Sequence, residues 1–245
     1  MESDGARMRD VVGATSEEKR MIKAVQRAVG ALDNGYIGAQ TMSDIAARVG
    51  ADCWPLDVEL YGQPTIIAKD IDPYNPKGVL PANAISGSFN EGKVPCSILI
   101  RNGETVCAWA CHASLGKPES VIYKLQSGKV GIARVKHVNE LPDNVRWAVG
   151  GFGLLDNYNP AAEGFTGQFA DVVRKTNHTV LGYKNGMLYG VYCKDMTAAA
   201  VNTLCRNKMR FEYAVMLDGG HVAAINGTVH KANTKTRQLY CIKFL

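Results

Sequence analysis

The sequence predicts an α+β fold: a hairpin-rich, mixed β-sheet domain with a few packed helices, preceded by a small helical module. From about residue 56 onward, short runs rich in β-branched and aromatic residues alternate with Gly, Pro and Asn, which is typical of strands joined by turns. Two segments with helically spaced apolar residues interrupt these runs. Hairpins mixed with isolated helices favour α+β over a doubly wound parallel sheet.

The chain is predicted to have three parts. Residues 1–14 mix Gly, Ser and charged side chains without periodicity, which predicts a flexible terminus. Residues 15–50 are predicted to form two short helices, because Thr15 and Glu18 can make a capping box, and Gly30 and Gly50 each follow helically spaced apolar residues. Residues 56–245 are predicted to form the β-rich domain.

The link between the two N-terminal helices carries a resemblance. Residues 25–29 (VQRAV) and 34–41 (NGYIGAQT) resemble the core of the small helical peptidoglycan-binding modules of cell-wall hydrolases. Asn34 stands where that family has Asp, and the segment is shorter than the usual module. A generic helical hairpin is the alternative interpretation of the same residues.

Within the β-rich domain, seven runs are predicted as strands, two Asn-Gly pairs as hairpin turns, and two segments as helices. The predicted strands are 65–68, 97–100, 105–109, 121–123, 147–149, 187–192 and 211–217. Residues 101–104 and 184–186 are predicted turns, because Asn-Gly tolerates the positive φ that such turns require. The predicted helices are 165–173, with Phe165, Phe169, Val172 and Val173 on one face, and 195–206, with Met196, Ala200, Leu204 and Cys205 inward.

Composition excludes several classes of protein. A chain of 245 residues that is 46% hydrophobic and 21% charged is expected to be globular rather than disordered or fibrous. No apolar run reaches the roughly 20 residues of a spanning helix, and the charged start lacks the apolar core of a signal peptide. Residues 228–245 hold four basic residues and no acidic one, which suits a solvated face or an anionic polymer. Nucleic acid is not favoured, because aromatic residues are not interleaved with the basic ones.

Seven cysteines without a recognisable signal peptide are predicted to be reduced and mostly buried, in a protein folded in a cytoplasm. Cys107, Cys111 and His112 look at first like part of a zinc site. However, no second pair of ligands follows at usable spacing, so we expect no metal.

The segment 211–221 (FEYAVMLDGGH) is the first candidate for a functional site. An apolar strand ends in Asp218, and Gly219 and Gly220 follow it, so that backbone and ligand can approach the carboxylate closely. Such a carboxylate can act as an acid, a base or a ligand. A simple Asp-Gly turn between strands is the alternative.

Three segments in this order resemble motifs of the phosphodiester glycosidase family, to which the enzyme that uncovers mannose 6-phosphate belongs. They are 84–90 (AISGSFN), 178–182 (HTVLG) and 217–220 (LDGG), which are similar to the AINGGFF-like, RTAIG-like and LDGGG-like motifs. Residues 147–155 (WAVGGFGLL) resemble the glycine-containing strand between the first two motifs. The resemblance spans residues 60–245 and implies hydrolysis of a sugar-1-phosphodiester.

Four positions depart from the family pattern. Ser86 replaces Asn, Ser88 replaces Gly, His178 replaces Arg, and His221 replaces the third Gly of the last motif. An imidazole in place of a guanidinium would weaken phosphate binding at neutral pH and make it pH-dependent. The two histidines could instead supply acid–base chemistry, or take a metal together with the aspartate.

The resemblance implies a role for each motif. Asp218 is expected to be the base or electrostatic stabiliser, and His178 the phosphate contact or acid, with His221 as a further catalytic candidate. The expected substrate-binding residues are the turn glycines, whose N–H groups could face an anion, and the polar residues of the first two motifs. They are Ser86, Gly87, Ser88, Asn90, Glu91, Gly150, Gly151, Thr179, Gly219 and Gly220. No cofactor is expected.

Together the two resemblances suggest a hydrolase of a bacterial cell-envelope polymer such as teichoic acid. The expected partner is a cell-wall glycopolymer, with no nucleic acid and no membrane insertion. A wall hydrolase made in the cytoplasm without a signal peptide would be most simply a bacteriophage lysis protein. The alternatives are an intracellular glycosidase of a small phosphodiester or nucleotide-sugar, and a noncatalytic wall-binding or virion protein.

Overall fold

The computed structural model describes residues 58–245 apart from 61, 62, 77, 157 and 229, and six residues between 16 and 27. The chain divides into two units, Met1–Trp54 and Pro55–Leu245. The six described residues of the first unit are helical, and the rest of the predicted terminus and of the 15–50 module lies outside the described residues.

The second unit is built from short strands. They are β1 (Val58–Leu60), β2 (Gln63–Ala68), β3 (Ile71–Tyr74), β4 (Ala84–Ser86), β5 (Asn90–Glu91), β6 (Val94–Pro95), β7 (Leu99–Arg101), β8 (Glu104–Cys107), β9 (Glu119–Leu125), β10 (Val130–Val135), β11 (Val145–Gly153), β12 (Thr176–Lys184), β13 (Met187–Met196), β14 (Tyr213–Met216), β15 (Ile225–Asn226), β16 (Lys231–Ala232) and β17 (Cys241–Phe244). One helix, α1 (Ala198–Thr203), continues as a π-helical stretch (Leu204–Met209). The 3₁₀ segments are Ala113–Leu115, Val138–Glu140, Pro160–Glu163 and Gly167–Val173.

The strands form two main sheets and one small hairpin. In the ten-stranded sheet the order is β1-β2-β13-β12-β14-β11-β7-β8, with β9 paired to β11 and β10 to β9. The five-stranded sheet has the order β16-β15-β4-β17-β3, and β5 pairs with β6. Every strand pair in the described part of the chain is antiparallel. The domain is therefore mostly β, with 44% of the described residues in strands, rather than an even α+β mixture.

Both Asn-Gly hairpins are confirmed. Asn102 and Gly103 have φ of 50° and 82°, and Asn185 and Gly186 have φ of 51° and 80°. The flanking residues pair directly across each turn, in β7–β8 and in β12–β13. Two central residues with positive φ match the twist of an antiparallel pair, so these turns set the register of their strands.

The two predicted helices are corrected in detail. The segment 165–173 is a 3₁₀ turn from Gly167 onward, not an α-helix. The second helix begins three residues later than predicted, because Thr197 accepts a hydrogen bond from the N–H of Ala200 and caps it. This later start rotates the buried face: Val201, Leu204 and Cys205 are buried, whereas Ala200 is exposed.

Alternation along the strands divides the interior into clusters on opposite faces of the large sheet. Leu181 and Val215 face a cluster shared with Ile85 and Ile242 of the five-stranded sheet. Their neighbours Val180 and Met216 face the other side, where α1 covers the sheet through buried residues such as Val201. Since side chains of a strand point alternately to its two faces, one strand contributes to both clusters.

The described part of the chain contains no helix with the length and apolar character needed to span a membrane.

Candidate functional site

The LDGG turn directly follows β14 and is tied to β12. The Leu217 N–H donates to the Thr179 carbonyl oxygen at 2.9 Å, and the Thr179 hydroxyl donates to the Asp218 carbonyl at 3.1 Å. The Gly220 N–H donates to the Asn177 carbonyl at 2.8 Å. The backbone of Asp218 is therefore held against the start of β12 on both sides of the residue.

The end of β4 meets the same turn. The Asp218 N–H donates to the Gly87 carbonyl at 3.0 Å, and Ser86 Oγ lies 2.9 Å from Thr179 Oγ1. The Ala224 N–H donates to Ser86 Oγ at 3.2 Å. The three motif segments, which are far apart in the sequence, thus converge on the backbone of Asp218.

Two glycines of this region are required by close approach and by backbone conformation. A Cβ on Gly219 would lie 2.9 Å from the Asn177 carbonyl oxygen and 3.2 Å from His178 Nδ1. Gly220 has φ of +64°, a left-handed conformation that costs other residues roughly 1–2 kcal/mol. The tight turn therefore depends on the glycine pair that follows the aspartate.

A cavity of about 420 Å³ opens beside the turn. Of the residues predicted from the sequence, six line it: Asn90, His178, Asp218, Gly219, Gly220 and His221. The other lining residues are Phe89, Gly92, Val172, Arg174, Thr176, Leu217, Val222, Arg237, Gln238 and Leu239. Asp218 is partly buried and His221 is exposed, so an aspartate and a histidine of one turn line the cavity.

The other predicted binding residues lie outside this lining. Ser86, Gly87 and Thr179 are buried behind the turn and support Asp218, while Glu91 is exposed in β5. Ser86, Gly87 and Thr179 therefore support the backbone of Asp218 and present no exposed surface to a ligand.

Gly150 and Gly151 are buried within β11, and the Ser88 hydroxyl donates to the Gly150 carbonyl at 2.6 Å. A Cβ on Gly150 would lie 2.2 Å from the Glu119 carboxylate, and one on Gly151 would lie 2.6 Å from the Met216 carbonyl. Close packing between strands therefore accounts for these two glycines.

The expectation that turn glycines present free N–H groups to an anion is corrected. The Gly87 N–H donates to the Tyr240 carbonyl, that of Gly150 to Ile98, and that of Gly220 to Asn177. The Gly219 N–H donates to the Asp218 carboxylate at 2.9 Å. Because each N–H has an acceptor within the protein, an anion in the cavity needs other donors.

His178 is buried, with 1% of its surface exposed. Its Nε2 lies 2.8 Å from the Met196 carbonyl oxygen and 3.3 Å from that of Arg174. Carbonyl oxygens only accept hydrogen bonds, so Nε2 carries the proton, and Nδ1, beside Gly219, is left as an acceptor. Burial lowers the pKa of His178, so the ring is neutral at neutral pH and does not supply the positive charge expected of a phosphate contact.

Arg174 and Arg237 line the cavity, and reasoning from the sequence missed both as site residues. Arg237 belongs to the basic segment 228–245, which pointed to an anionic ligand without indicating where it binds. Arg174 directly follows the 3₁₀ segment and precedes β12, and no pattern in the sequence distinguishes it from its neighbour Lys175.

Two buried glutamates, Glu119 and Glu163, lie outside the cavity lining. Glu119 accepts hydrogen bonds from the Ser97 hydroxyl and from the N–H groups of Ile98 and Cys111, yet burial raises its pKa to about 8. Glu163 accepts from the Gly153 N–H and pairs with Arg134 at 2.8 Å, and burial also raises its pKa. These carboxyl groups join neighbouring segments of the domain.

Cys111 and His112, which look in the sequence like part of a zinc site, contact other residues of the domain. Cys111 Sγ lies 3.4 Å from Cys96 Sγ, and His112 Nδ1 lies 2.8 Å from the Glu163 carbonyl oxygen. Within the described residues, no group of three His, Cys, Asp or Glu side chains is arranged to hold a metal ion.

Comparisons with known proteins give a likeness of fold. No protein-family model matches the chain, and no curated protein matches it. The catalytic domain of zebrafish N-acetylglucosamine-1-phosphodiester α-N-acetylglucosaminidase, auto-inhibited by its pro-peptide, matches with a TM-score of 0.52 and 17% identity over 66% of this chain and 62% of that chain. A hypothetical protein from Synechocystis matches with a TM-score of 0.49 and 10% identity over 74% of this chain and 59% of that chain. The match thus spans about three fifths of these structures, and the fold is similar to that of a phosphodiester glycosidase catalytic domain.

Proposed function

We propose that this protein hydrolyses a sugar-1-phosphodiester, with Asp218 as the catalytic carboxylate. The observation that carries the proposal is the convergence of three motif segments on the backbone of Asp218, a residue that lines the cavity. The similarity of the fold to a domain that removes N-acetylglucosamine from a phosphodiester supports the same reaction class. An N-acetylhexosamine 1-phosphodiester is therefore the first substrate to test.

The reaction breaks the bond between the anomeric carbon and the phosphate oxygen, and water supplies the new hydroxyl. Positive charge grows at the anomeric carbon, and the phosphate leaves with the electron pair of the broken bond. The Asp218 carboxylate could stabilise that charge or take the proton of the attacking water. Because phosphate is a good leaving group, one positioned carboxylate could suffice.

The two histidines would take different parts. Neutral His178, with Nδ1 beside Gly219, can accept a hydrogen bond from a substrate hydroxyl or from water. His221, exposed in the lining of the cavity, would donate a proton to the leaving phosphate. The amide of Asn90, also in the lining, would face a sugar hydroxyl.

The experiment replaces Asp218 with Asn and measures sugar released from the methyl ester of N-acetylglucosamine 1-phosphate and from its hexose analogues. We expect a loss of turnover of roughly 10²-fold or more, since a positioned acid–base group contributes about that much. Asp195→Asn is the matched control: Asp195 is exposed, is not part of the cavity lining, and has φ of 51°, which Asn tolerates. A folded Asp218→Asn protein with near-normal turnover would refute the proposal.

We further propose that the natural substrate is a bacterial cell-envelope glycopolymer such as teichoic acid, and that the protein acts at the wall after release from the cytoplasm, as a bacteriophage lysis protein would. The resemblance of residues 15–50 to wall-binding modules and the basic segment 228–245 support this target.

Sedimentation of the full chain with purified walls, before and after extraction of teichoic acid, tests the target. The proposal requires sedimentation with intact walls together with release of sugar. Sedimentation without turnover of any phosphodiester would favour a noncatalytic binder, and turnover of small substrates without sedimentation would favour an intracellular glycosidase.

A further inference from the structure

We infer that Arg174 and Arg237 together form the anion-binding subsite of the cavity and hold the phosphoryl group of the substrate. The inference deepens the proposed function and rests on it for the identity of the ligand. The second motif lacks a positive charge, because His178 stands there in place of Arg. We assign that charge to Arg174 and Arg237, two cavity residues outside the three motifs.

The first step of the argument concerns charge. Three other arginines of the domain are engaged: Arg101 pairs with Asp72, Arg134 with Glu163, and Arg146 with Asp70. Neither Arg174 nor Arg237 has an ion pair with any described residue, and both are exposed. Since neither arginine is paired with a carboxylate of a described residue, the donors of two arginines that line one cavity remain available to an anion.

The second step concerns position. The backbone of Arg174 lies against His178, whose Nε2–H is shared between the Met196 carbonyl at 2.8 Å and the Arg174 carbonyl at 3.3 Å. Arg237 is held by its neighbour Gln238, which is buried: the Gln238 N–H donates to the Gly78 carbonyl at 2.9 Å, and its Nε2 donates to the Val222 carbonyl at 3.0 Å. Both arginines therefore extend from anchored backbone, which lowers the entropy that is lost when they close on a ligand.

The third step compares the arginines with the other charged or titratable groups and the glycine N–H groups of the lining. His178 is buried and neutral, and its only N–H is directed at backbone carbonyls. The Gly219 N–H donates to the Asp218 carboxylate, and the Gly220 N–H donates to the Asn177 carbonyl in β12. No lysine and no further arginine is among the residues that line the cavity. The arginines are therefore the permanent positive charges of the cavity.

The fourth step compares the charge of the two arginines with the charge of the substrate and of the leaving group. A phosphodiester carries one negative charge, and the phosphomonoester that leaves carries up to two, because the broken bond leaves its electron pair on oxygen. One guanidinium neutralises the bound diester, and the second stabilises the charge that develops as the bond breaks. Interactions that strengthen toward the transition state accelerate the reaction, so a pair of arginines serves catalysis as well as binding.

The experiment measures the affinity of the full-length protein for inorganic phosphate and methyl phosphate by isothermal titration calorimetry. The variants are Arg174→Gln, Arg237→Gln and the double variant. Lys175→Gln and Lys235→Gln are matched controls, because each removes one positive charge close in sequence to an arginine, and neither lysine lines the cavity. Thermal unfolding of each variant confirms that it is folded.

We expect each arginine variant to weaken binding about tenfold or more, as the loss of a charge-assisted hydrogen bond would, and each lysine control by less than about twofold. Arg→Lys at either position should recover part of the affinity, since it restores the charge without the planar fork. Unchanged affinity in both arginine variants, an equal loss in the lysine controls, or no saturable binding of either probe to the wild type overturns the inference.

Sugar release from the methyl ester of N-acetylglucosamine 1-phosphate separates this inference from the proposed function. Arginine-dependent phosphate binding without turnover of any phosphodiester would refute the hydrolase and leave the anion site standing. Turnover with kcat and KM unchanged in the double variant would leave the hydrolase standing and refute the subsite.

Discussion

Replacing Thr179 with valine tests whether the hydroxyl groups behind Asp218 hold the candidate site together. Thr179 is fully buried, and its Oγ1 lies 3.1 Å from the Asp218 carbonyl oxygen and 2.9 Å from Ser86 Oγ. Ser86 Oγ accepts the Ala224 N–H at 3.2 Å, so its own hydrogen is free to point at Thr179. The Thr179 hydroxyl then donates its hydrogen to the Asp218 carbonyl oxygen. Valine keeps the shape of threonine and removes both bonds.

The loss can be estimated from these contacts. Valine would leave the Ser86 hydroxyl hydrogen without its acceptor and remove one donor from the Asp218 carbonyl. With about 0.5–1.5 kcal/mol per bond, and more for a buried group left unsatisfied, we expect a fall of about 2–3 kcal/mol in the free energy of unfolding. A freed Asp218 backbone should also lower kcat/KM by about tenfold to 10²-fold, the effect of misplacing a catalytic group by a fraction of an ångström to about 1 Å.

Urea unfolding and turnover of the phosphodiester measure the two effects. Thr179→Ser is the control, because it keeps the hydroxyl and loses one methyl group, at a cost of about 1 kcal/mol. The serine variant should therefore be more stable and more active than the valine variant. If valine is tolerated at least as well as serine, the hydroxyl chain does not support the site.

Three further changes test other parts of the structure. Burial raises the pKa of Glu119 to about 8 from 4.5, so between those pH values its carboxyl group is protonated in the folded state and ionised in the unfolded state. The stabilisation that this proton gives the folded state is complete below pH 4.5 and is lost as pH rises through 8. In urea unfolding the advantage of wild type over Glu119→Gln should shrink with rising pH, and an advantage that grows would contradict the assignment. Gly219→Ala places a Cβ 3.2 Å from His178 Nδ1 and against backbone, so turnover should fall about tenfold or more; wild-type turnover would mean that the turn can move freely. Phe211→Ala removes a buried ring that packs on Gly182 and should cost about 3–5 kcal/mol in urea unfolding, whereas a loss below about 1 kcal/mol would show that the site collapses to fill the space.

Local chemistry explains which elements could be predicted. The Asn-Gly turns at 102–103 and 185–186 were correct because positive φ is a property of the two residues themselves. The strand at 187–192 was correct in position, although β13 extends to Met196. The segment 165–173 was predicted as an α-helix from its apolar spacing and is a 3₁₀ segment from Gly167 onward. Phe165, Val172 and Val173 pack on the α1 side of the sheet, so apolar spacing alone did not distinguish the two forms.

The candidate site shows the same division. Asp218 was identifiable because a carboxylate followed by two glycines at a strand end is a local pattern, and the structure places it at the cavity. The place of Gly150 was not identifiable, because its burial depends on the Glu119 carboxylate and on neighbouring strands that pair with β11. The neutral state of His178 likewise depends on burial by distant segments, and the Met196 carbonyl, 18 residues away in the sequence, fixes the proton on Nε2.

The sequence by itself determined the two Asn-Gly hairpin turns, the positions of seven of the seventeen strands in the described part of the chain, and the aspartate that follows β14, since each depends on adjacent residues. Only the tertiary structure decided that burial keeps His178 neutral, that the N–H groups of Gly87, Gly150, Gly219 and Gly220 have acceptors within the protein, and that Arg174 and Arg237 share one cavity. Burial, desolvation and hydrogen-bond acceptors come from segments that meet only when the sheets assemble. The charge of the site therefore depends on the tertiary structure, whereas its candidate carboxylate can be identified from the sequence.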